Sequence, residues 1–185
     1  MITTLNIHTA LTYVSRRWRG LWPALDAVQD LIEGLKLGEA WAAGHCAGQL
    51  AAVLEDLVPS DGVIAVAPRS RPKRPSLAPL ARCLAKLLGC RARPNLLVRA
   101  IPVPSSRRLR RRGRRGVPLL SHAASMRVVG PMPRRPILIV DDVVTSGATL
   151  LACARVLREA GCGSPIALAA VARATRPPFA KARPA

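Results

Sequence analysis

The residues best suited to chemistry are two adjacent carboxylates, Asp141 and Asp142, and the small or hydroxylated residues Thr145, Ser146, Gly147, Ala148 and Thr149. All lie in the stretch ILIVDDVVTSGAT, 137–149. A loop of that composition can turn its backbone N–H groups inward and hand a phosphate to the N-terminus of the next helix, where the helix dipole favours negative charge. Carboxylates beside a phosphate repel it unless they face neutral hydroxyls or share a cation. A ribose 5-phosphate, with its diol beside the acids, meets both demands.

The flanking elements must hold these groups. Ile137, Leu138, Ile139 and Val140 form a short apolar run of the kind expected of a strand buried on both faces in a parallel sheet. After the loop, Leu150, Leu151, Ala154, Leu157 and Ala160 recur at helical spacing, and Gly161 closes the helix. Strand, loop and helix together supply the context such a motif requires. A Walker B strand also ends in acids, but it needs a GxxxxGK[ST] loop, and the chain has no Gly-Lys pair. The bland alternative is a buried strand running into a capped helix, with both aspartates merely solvated. The stretch resembles the phosphoribosyl pyrophosphate (PRPP) loop of type I phosphoribosyltransferases.

Composition narrows the class. The chain has 185 residues, 50% hydrophobic but only 3% aromatic, so its core is built from Ala, Leu, Val and Ile. That suits helices packed on a parallel sheet better than an aromatic-rich sandwich. Lys and Arg number 29 against 10 acids, a formal net charge of +19, which predicts an anionic partner: phosphorylated substrates, nucleic acid, or both. Cys46, Cys83, Cys90, Cys153 and Cys162 form no CxxC pair, so they are expected to be reduced thiols, with no zinc site. His8, His45 and His122 are isolated and are assigned structural or solvated roles. No signal-peptide pattern and no membrane-length apolar run is visible, so the cytoplasm is the expected location.

Along the chain, residues 1–20 show no firm period and are read as an N-terminal arm, 21–174 as one domain, and 175–185 as a frayed tail. Helices are predicted from Pro23 to Gly38 and from Glu39 to Leu57, the second with Trp41, Cys46, Leu50, Val53, Leu54 and Leu57 as its apolar side. Val63 to Ala67 is the first buried strand. The following loop, Pro68 to Pro75, carries Arg69, Arg71, Lys73 and Arg74 beside the carboxyl ends of the sheet, where open α/β sheets bind ligands. A helix after Ser76 is closed by Gly89, and Leu96 to Val103 is read as a second strand, at an edge because of Arg99 and Pro102. Arg107, Arg108, Arg110, Arg111, Arg112, Arg114 and Arg115 crowd into nine residues and are expected to form a mobile segment that an anion would order. Ile166 to Val171 is the last strand. Alternating strands and helices imply an α/β fold, a parallel sheet flanked by helices with right-handed crossovers, here preceded by N-terminal helices.

In that order, the segment from about Leu35 to Ala174 resembles the ComF family of phosphoribosyltransferase-like proteins associated with competence. The resemblance is carried by VIAVAP with its basic loop, LVRAIPVP with its arginine-rich loop, and ILIVDDVVTSGAT. Two departures stand out. The cysteine-rich zinc ribbon with which members of that family usually begin is missing, and Lys73-Arg74-Pro75-Ser76 replaces an Arg-Gly-Phe-Asn-Gln-like run. The resemblance implies a type I phosphoribosyltransferase-like fold and displacement of pyrophosphate from PRPP by a nitrogen nucleophile. It further implies that Thr145 to Thr149 bind the 5-phosphate and that Asp141 and Asp142 accept hydrogen bonds from the ribose hydroxyls. Arg69, Ser70 and Arg71 would then face the pyrophosphate, and Arg107 to Arg115 would close over it as a lid. Mg²⁺ would be held by the substrate, with no direct protein ligand.

A second class stays open: a non-catalytic nucleic-acid or partner-binding module on the same scaffold, favoured by the charge and the arginine run, because fold does not fix function. The low aromatic content argues against base-stacking platforms. The sequence identifies neither an acceptor base nor an oligomeric state.

Overall fold

The computed structural model describes residues 6–14, 23–70, 76–103 and 117–175. Its centre is a five-stranded, wholly parallel sheet. The strands are β1 (Ile7–Tyr13), β2 (Val63–Val66), β3 (Arg91–Ala92), β6 (Ile137–Val144) and β7 (Ile166–Ala174), in the order β1-β7-β6-β2-β3. A separate antiparallel pair joins β4 (Leu97–Arg99) to β5 (Met126–Val128).

Side-chain alternation along the two central strands divides the core into two layers. Ile64, Val66, Leu138 and Val140 face one side, where α1 (Pro23–Leu37), α2 (Ala40–Leu54) and α3 (Ala78–Leu87) pack. Ala65, Ala67, Ile137 and Ile139 face the other, against α5 (Ala148–Glu159), α4 (Leu119–Ala124) and the β4–β5 pair. Both faces of the sheet are therefore covered, which explains why β2 and the first half of β6 read as unbroken apolar runs.

The structure corrects several details of the sequence reading. Residues 7–13, read as part of an arm, form edge strand β1, paired with β7 from Ile7↔Leu168 to Tyr13↔Ala174. Their period is weak because an edge strand is only half covered: six of its seven residues are partly buried and one is exposed. Residues 96–103 do not enter the main sheet; only Leu97–Arg99 is a strand, in the small pair, and the two-residue β3 takes the edge beside β2. The second helix buries half of the face expected of it, Cys46, Leu50 and Leu54, with alanines in place of the rest. Ala42, Ala43, Cys46, Ala47, Leu50 and Leu54 are buried, whereas Trp41 is 59% exposed and Val53 and Leu57 also face solvent. Small alanines beside Leu50 and Leu54 let α2 approach its neighbours closely, which leaves Trp41 outside. β7 runs to Ala174, and Thr175, expected to begin the frayed tail 175–185, is tied down by its N–H donating to the Tyr13 carbonyl at 2.9 Å; 176–185 lies outside the described residues.

Candidate functional site

Strand order sets where a ligand can enter. From β2 the chain moves outward to β3, and from β6 it moves the opposite way to β7, so the connections diverge between β2 and β6. In an open parallel sheet the crevice at the carboxyl ends of such a strand pair is where ligands bind. The last β2–β6 pair is Val66↔Val140, yet β6 continues along β7 to Val144↔Arg173. Asp141 and Asp142 thus stand at the point where β6 loses its neighbour on the β2 side.

The two carboxylates leave the strand in opposite directions. Asp141 faces the α5 layer, where its charge helps raise the pKa of the buried Cys153 thiol behind the larger effect of burial. Asp142 faces the α2 layer, where burial first and then the Asp142 charge push the Cys46 thiol up to about 12. Beyond this point the alternation breaks, because Val143 packs with the first layer and Val144 with the second. Each carboxylate accepts a local backbone N–H at the break: Asp142 N–H donates to Asp141 Oδ1 (2.8 Å) and Val143 N–H to Asp142 Oδ1 (2.7 Å). Burial drives the Asp141 pKa well above the ordinary carboxylate range; the Asp142 charge adds to the rise, and Arg69 pulls against it.

Arg69, from the loop after β2, reaches across the crevice. Its Nη1 donates to Asp142 Oδ2 at 3.4 Å, and the two side chains are only 14% and 16% exposed. Its Nε and Nη2 are buried without a hydrogen-bond partner. A guanidinium with two idle donors beside a single carboxylate is an incomplete site, because buried charged donors are normally satisfied.

The loop itself is gripped by Arg99 of β4, a residue the sequence reading took only as a sign of an exposed or edge strand. Its Nε donates to the Arg69 carbonyl (3.1 Å), its Nη2 to the Pro68 carbonyl (3.1 Å) and its Nη1 to Ser125 Oγ. Ser125 Oγ in turn donates to the His122 carbonyl at 2.7 Å. Burial lowers the Arg99 pKa, with the Cys153 and Asp141 charges opposing that effect. One guanidinium thus ties the loop after β2 to α4.

Past β6 the chain turns at Gly147, the N-cap of α5, with φ of 77°. That left-handed conformation favours glycine, and a Cβ added here would come within 2.5 Å of Ile7 Cδ1 on β1. The helical ladder starts with the Leu151 N–H donating to the Gly147 carbonyl (3.0 Å), so the N–H groups of Ala148, Thr149 and Leu150 have no partner within the helix. These residues, with Asp141 and Val143 to Gly147, line a cavity of about 40 Å³. Its remaining wall is His122 of α4, 6% exposed.

The structure therefore brings Asp141 together with Thr145, Ser146, Gly147, Ala148 and Thr149 around one cavity, and Asp142 together with Arg69 across the crevice. Ser70 is partly buried in the same loop as Arg69. Arg71 and Arg107 to Arg115 lie outside the described residues. His122 and Arg99 escaped the sequence reading as site residues; the one available signal was that Arg99 interrupts the apolar stretch LLVRAI and that His122 lies between Leu120 and Ala123 beside a single serine. A wider groove of about 610 Å³ between α4, β5 and α5 holds Arg127, Arg155 and Glu159 among apolar residues, and there Arg155 and Glu159 satisfy each other at 2.6 Å on one exposed helix face. Among the described residues no group of three or more His, Cys, Asp or Glu could hold a metal ion, and no helix is long and apolar enough to cross a membrane.

No family model matches the chain, and no curated protein matches it. Among solved structures it is similar to a purine phosphoribosyltransferase from Pyrococcus horikoshii Ot3. The identity is 19% and the TM-score 0.41, over 78% of this chain and 92% of that one.

Proposed function

We propose that the chain binds a phosphorylated ribose, PRPP, and transfers its phosphoribosyl group to a nitrogen nucleophile with release of pyrophosphate. The observation that carries this reading is the division of the crevice. One carboxylate shares a cavity with first-turn N–H groups that have no partner within the helix, and the other faces a guanidinium with two idle buried donors. A ligand with a phosphate at one end and a larger anion at the other would use both halves. The resemblance of residues 137–149 to the PRPP loop of type I phosphoribosyltransferases, and of the order of segments to the ComF family, points the same way.

In this reading residues 145–149 would hold the 5-phosphate and Asp141 and Asp142 would accept the ribose hydroxyls. Arg69 would take the pyrophosphate, with Ser70 and Arg71 beside it. The C1–O bond to pyrophosphate breaks with its electron pair leaving on oxygen, and the nitrogen lone pair forms the new C1–N bond. The transition state carries positive charge on the sugar, which carboxylates in a water-poor site stabilise. Mg²⁺ fits the substrate better than the chain, because the described residues bring only two carboxylates to the crevice, one of them shared with Arg69. Bound to pyrophosphate oxygens, it would neutralise charge on the leaving group. Arg107 to Arg115 would close over the pyrophosphate as a lid.

Calorimetric titration tests the reading. The wild-type chain should bind PRPP with Mg²⁺ more tightly than either ribose 5-phosphate or pyrophosphate alone, and an absence of heat from all three would overturn it. A second reading, a nucleic-acid-binding module, rests on the net charge of +19. Duplex DNA binding that PRPP does not disturb, with no PRPP binding of its own, would favour that one.

A further inference from the structure

His122 reaches the loop cavity from an element that the phosphate-loop motif does not include. It lies on the short helix α4, which packs on α5, and it lines the cavity with Asp141 and residues 143–150. The side chain is 6% exposed, and its Nδ1 is buried with no hydrogen-bond partner. A buried imidazole nitrogen without a partner destabilises a protein and is seldom retained in a core without a reason. His122 shares this cavity with Thr149 and Leu150, whose N–H groups have no partner within the helix, and with Ala148, whose N–H donates to Ser146 Oγ at 3.5 Å.

We propose that His122 is a ligand-binding residue of this cavity, its Nδ1 hydrogen-bonding the phosphate monoester held by residues 145–149. The inference rests on the reading of that loop as a phosphate site. A phosphate dianion offers only acceptors, so Nδ1 must carry the proton. The groups around the imidazole are Arg99 from β4, Asp141 from β6 and the first turn of α5. Burial lowers the His122 pKa, and Arg99 lowers it further, so the ring is a neutral donor before ligand arrives.

The backbone that carries the imidazole is also held in place. The His122 N–H donates to the Pro118 carbonyl (3.2 Å), and the His122 carbonyl accepts from both the Ser125 N–H (3.2 Å) and Ser125 Oγ (2.7 Å). Because Ser125 Oγ also accepts from Arg99, which grips the Arg69 carbonyl, the two halves of the crevice share one framework. A ligand that fills both would find their spacing fixed, which lowers the ordering cost of binding.

The test compares ribose 5-phosphate and pyrophosphate binding in wild type, His122→Leu and His122→Asn, with thermal melts of each. Asparagine can put a side-chain N–H where Nδ1 stands, and leucine cannot. The expected result is that His122→Leu binds ribose 5-phosphate about tenfold or more weakly, the range of a charged hydrogen bond. His122→Asn should recover most of that affinity, with pyrophosphate binding unchanged throughout. Spectra of chain labelled with ¹⁵N-histidine should show the His122 Nδ1 resonance moving when ribose 5-phosphate is added, with His8 and His45 as internal references. If wild type binds ribose 5-phosphate but both variants match it and the resonance stays still, the inference is wrong and the loop reading survives. If both variants lose affinity and melting temperature together, with no recovery in asparagine, His122 is structural and the inference is again wrong. If wild type itself does not bind ribose 5-phosphate, the loop reading fails and takes the inference with it.

Discussion

Asp141 carries its carboxyl where burial and a neighbouring charge both oppose ionisation. Because its pKa is raised in the folded chain, the native state keeps a proton that the unfolded state has lost across the interval between the two values. Stability contributed by this group is therefore lost as pH rises from the ordinary carboxylate range to the raised value, and stays lost above it. Asp141→Asn should melt higher than wild type at neutral pH, with the gain shrinking to nothing as the pH falls to the ordinary carboxylate range. Melting curves across pH check this, and a gain that persists unchanged in acid would contradict the cause given. The same variant should bind ribose 5-phosphate more weakly, a trade of function for stability common at sites. Arg69 is the complementary case. Arg69→Met should weaken pyrophosphate binding by about ten- to hundredfold, as expected for lost charged hydrogen bonds, while ribose 5-phosphate titrates as before.

At the level of elements, the loop before α5 and the clamp on the loop after β2 make separate demands. Gly147→Ala forces a side chain into a left-handed conformation and against Ile7, a cost of about 1–2 kcal/mol. A lowered melting temperature should therefore appear even without ligand. Arg99→Lys keeps the charge but loses the fork that bonds two carbonyls and a hydroxyl at once. We expect weaker pyrophosphate binding in that variant, even though the Arg99 fork is spent on protein oxygens, because Arg69 loses its anchor. The buried strand, the acidic pair and the helix of residues 137–159 were legible because one continuous stretch carries strand, loop and helix signals together. Arg99 and His122 were not, because their meaning depends on β4 and α4 folding back against β2 and α5, a pairing of Leu97 with Val128 that no local pattern announces. The buried face of α2 was legible at Cys46, Leu50 and Leu54 but not at Ala42, Ala43 and Ala47, because alanines give little periodic contrast beside the exposed Trp41.

The whole molecule carries a net charge of +19, which attracts polyanions irrespective of sequence. Duplex DNA should bind through exposed arginines and lose affinity steeply with salt, by about 0.9 in log–log slope per phosphate contact. Ribose 5-phosphate, held in a half-enclosed cavity, should lose much less, since buried pairs are screened weakly. Titrations of both ligands at two salt concentrations measure the contrast, and equal slopes would mean that the small ligand binds on the open surface. The sheet that supports the cavity has one further property. Among the described residues its first strand, β1, has β7 as its one neighbour, and Arg173 Nη2 donates to the Ile7 carbonyl across 166 residues. As the chain emerges from a ribosome, β1 must wait for every other strand to be made before it can pair. Such long-range closure is slow, and until it happens β7 has an open edge and Gly147 lacks the Ile7 contact. The phosphate loop thus waits on β7, so nascent chains should acquire ligand-dependent protease resistance only after β7 has cleared the exit tunnel.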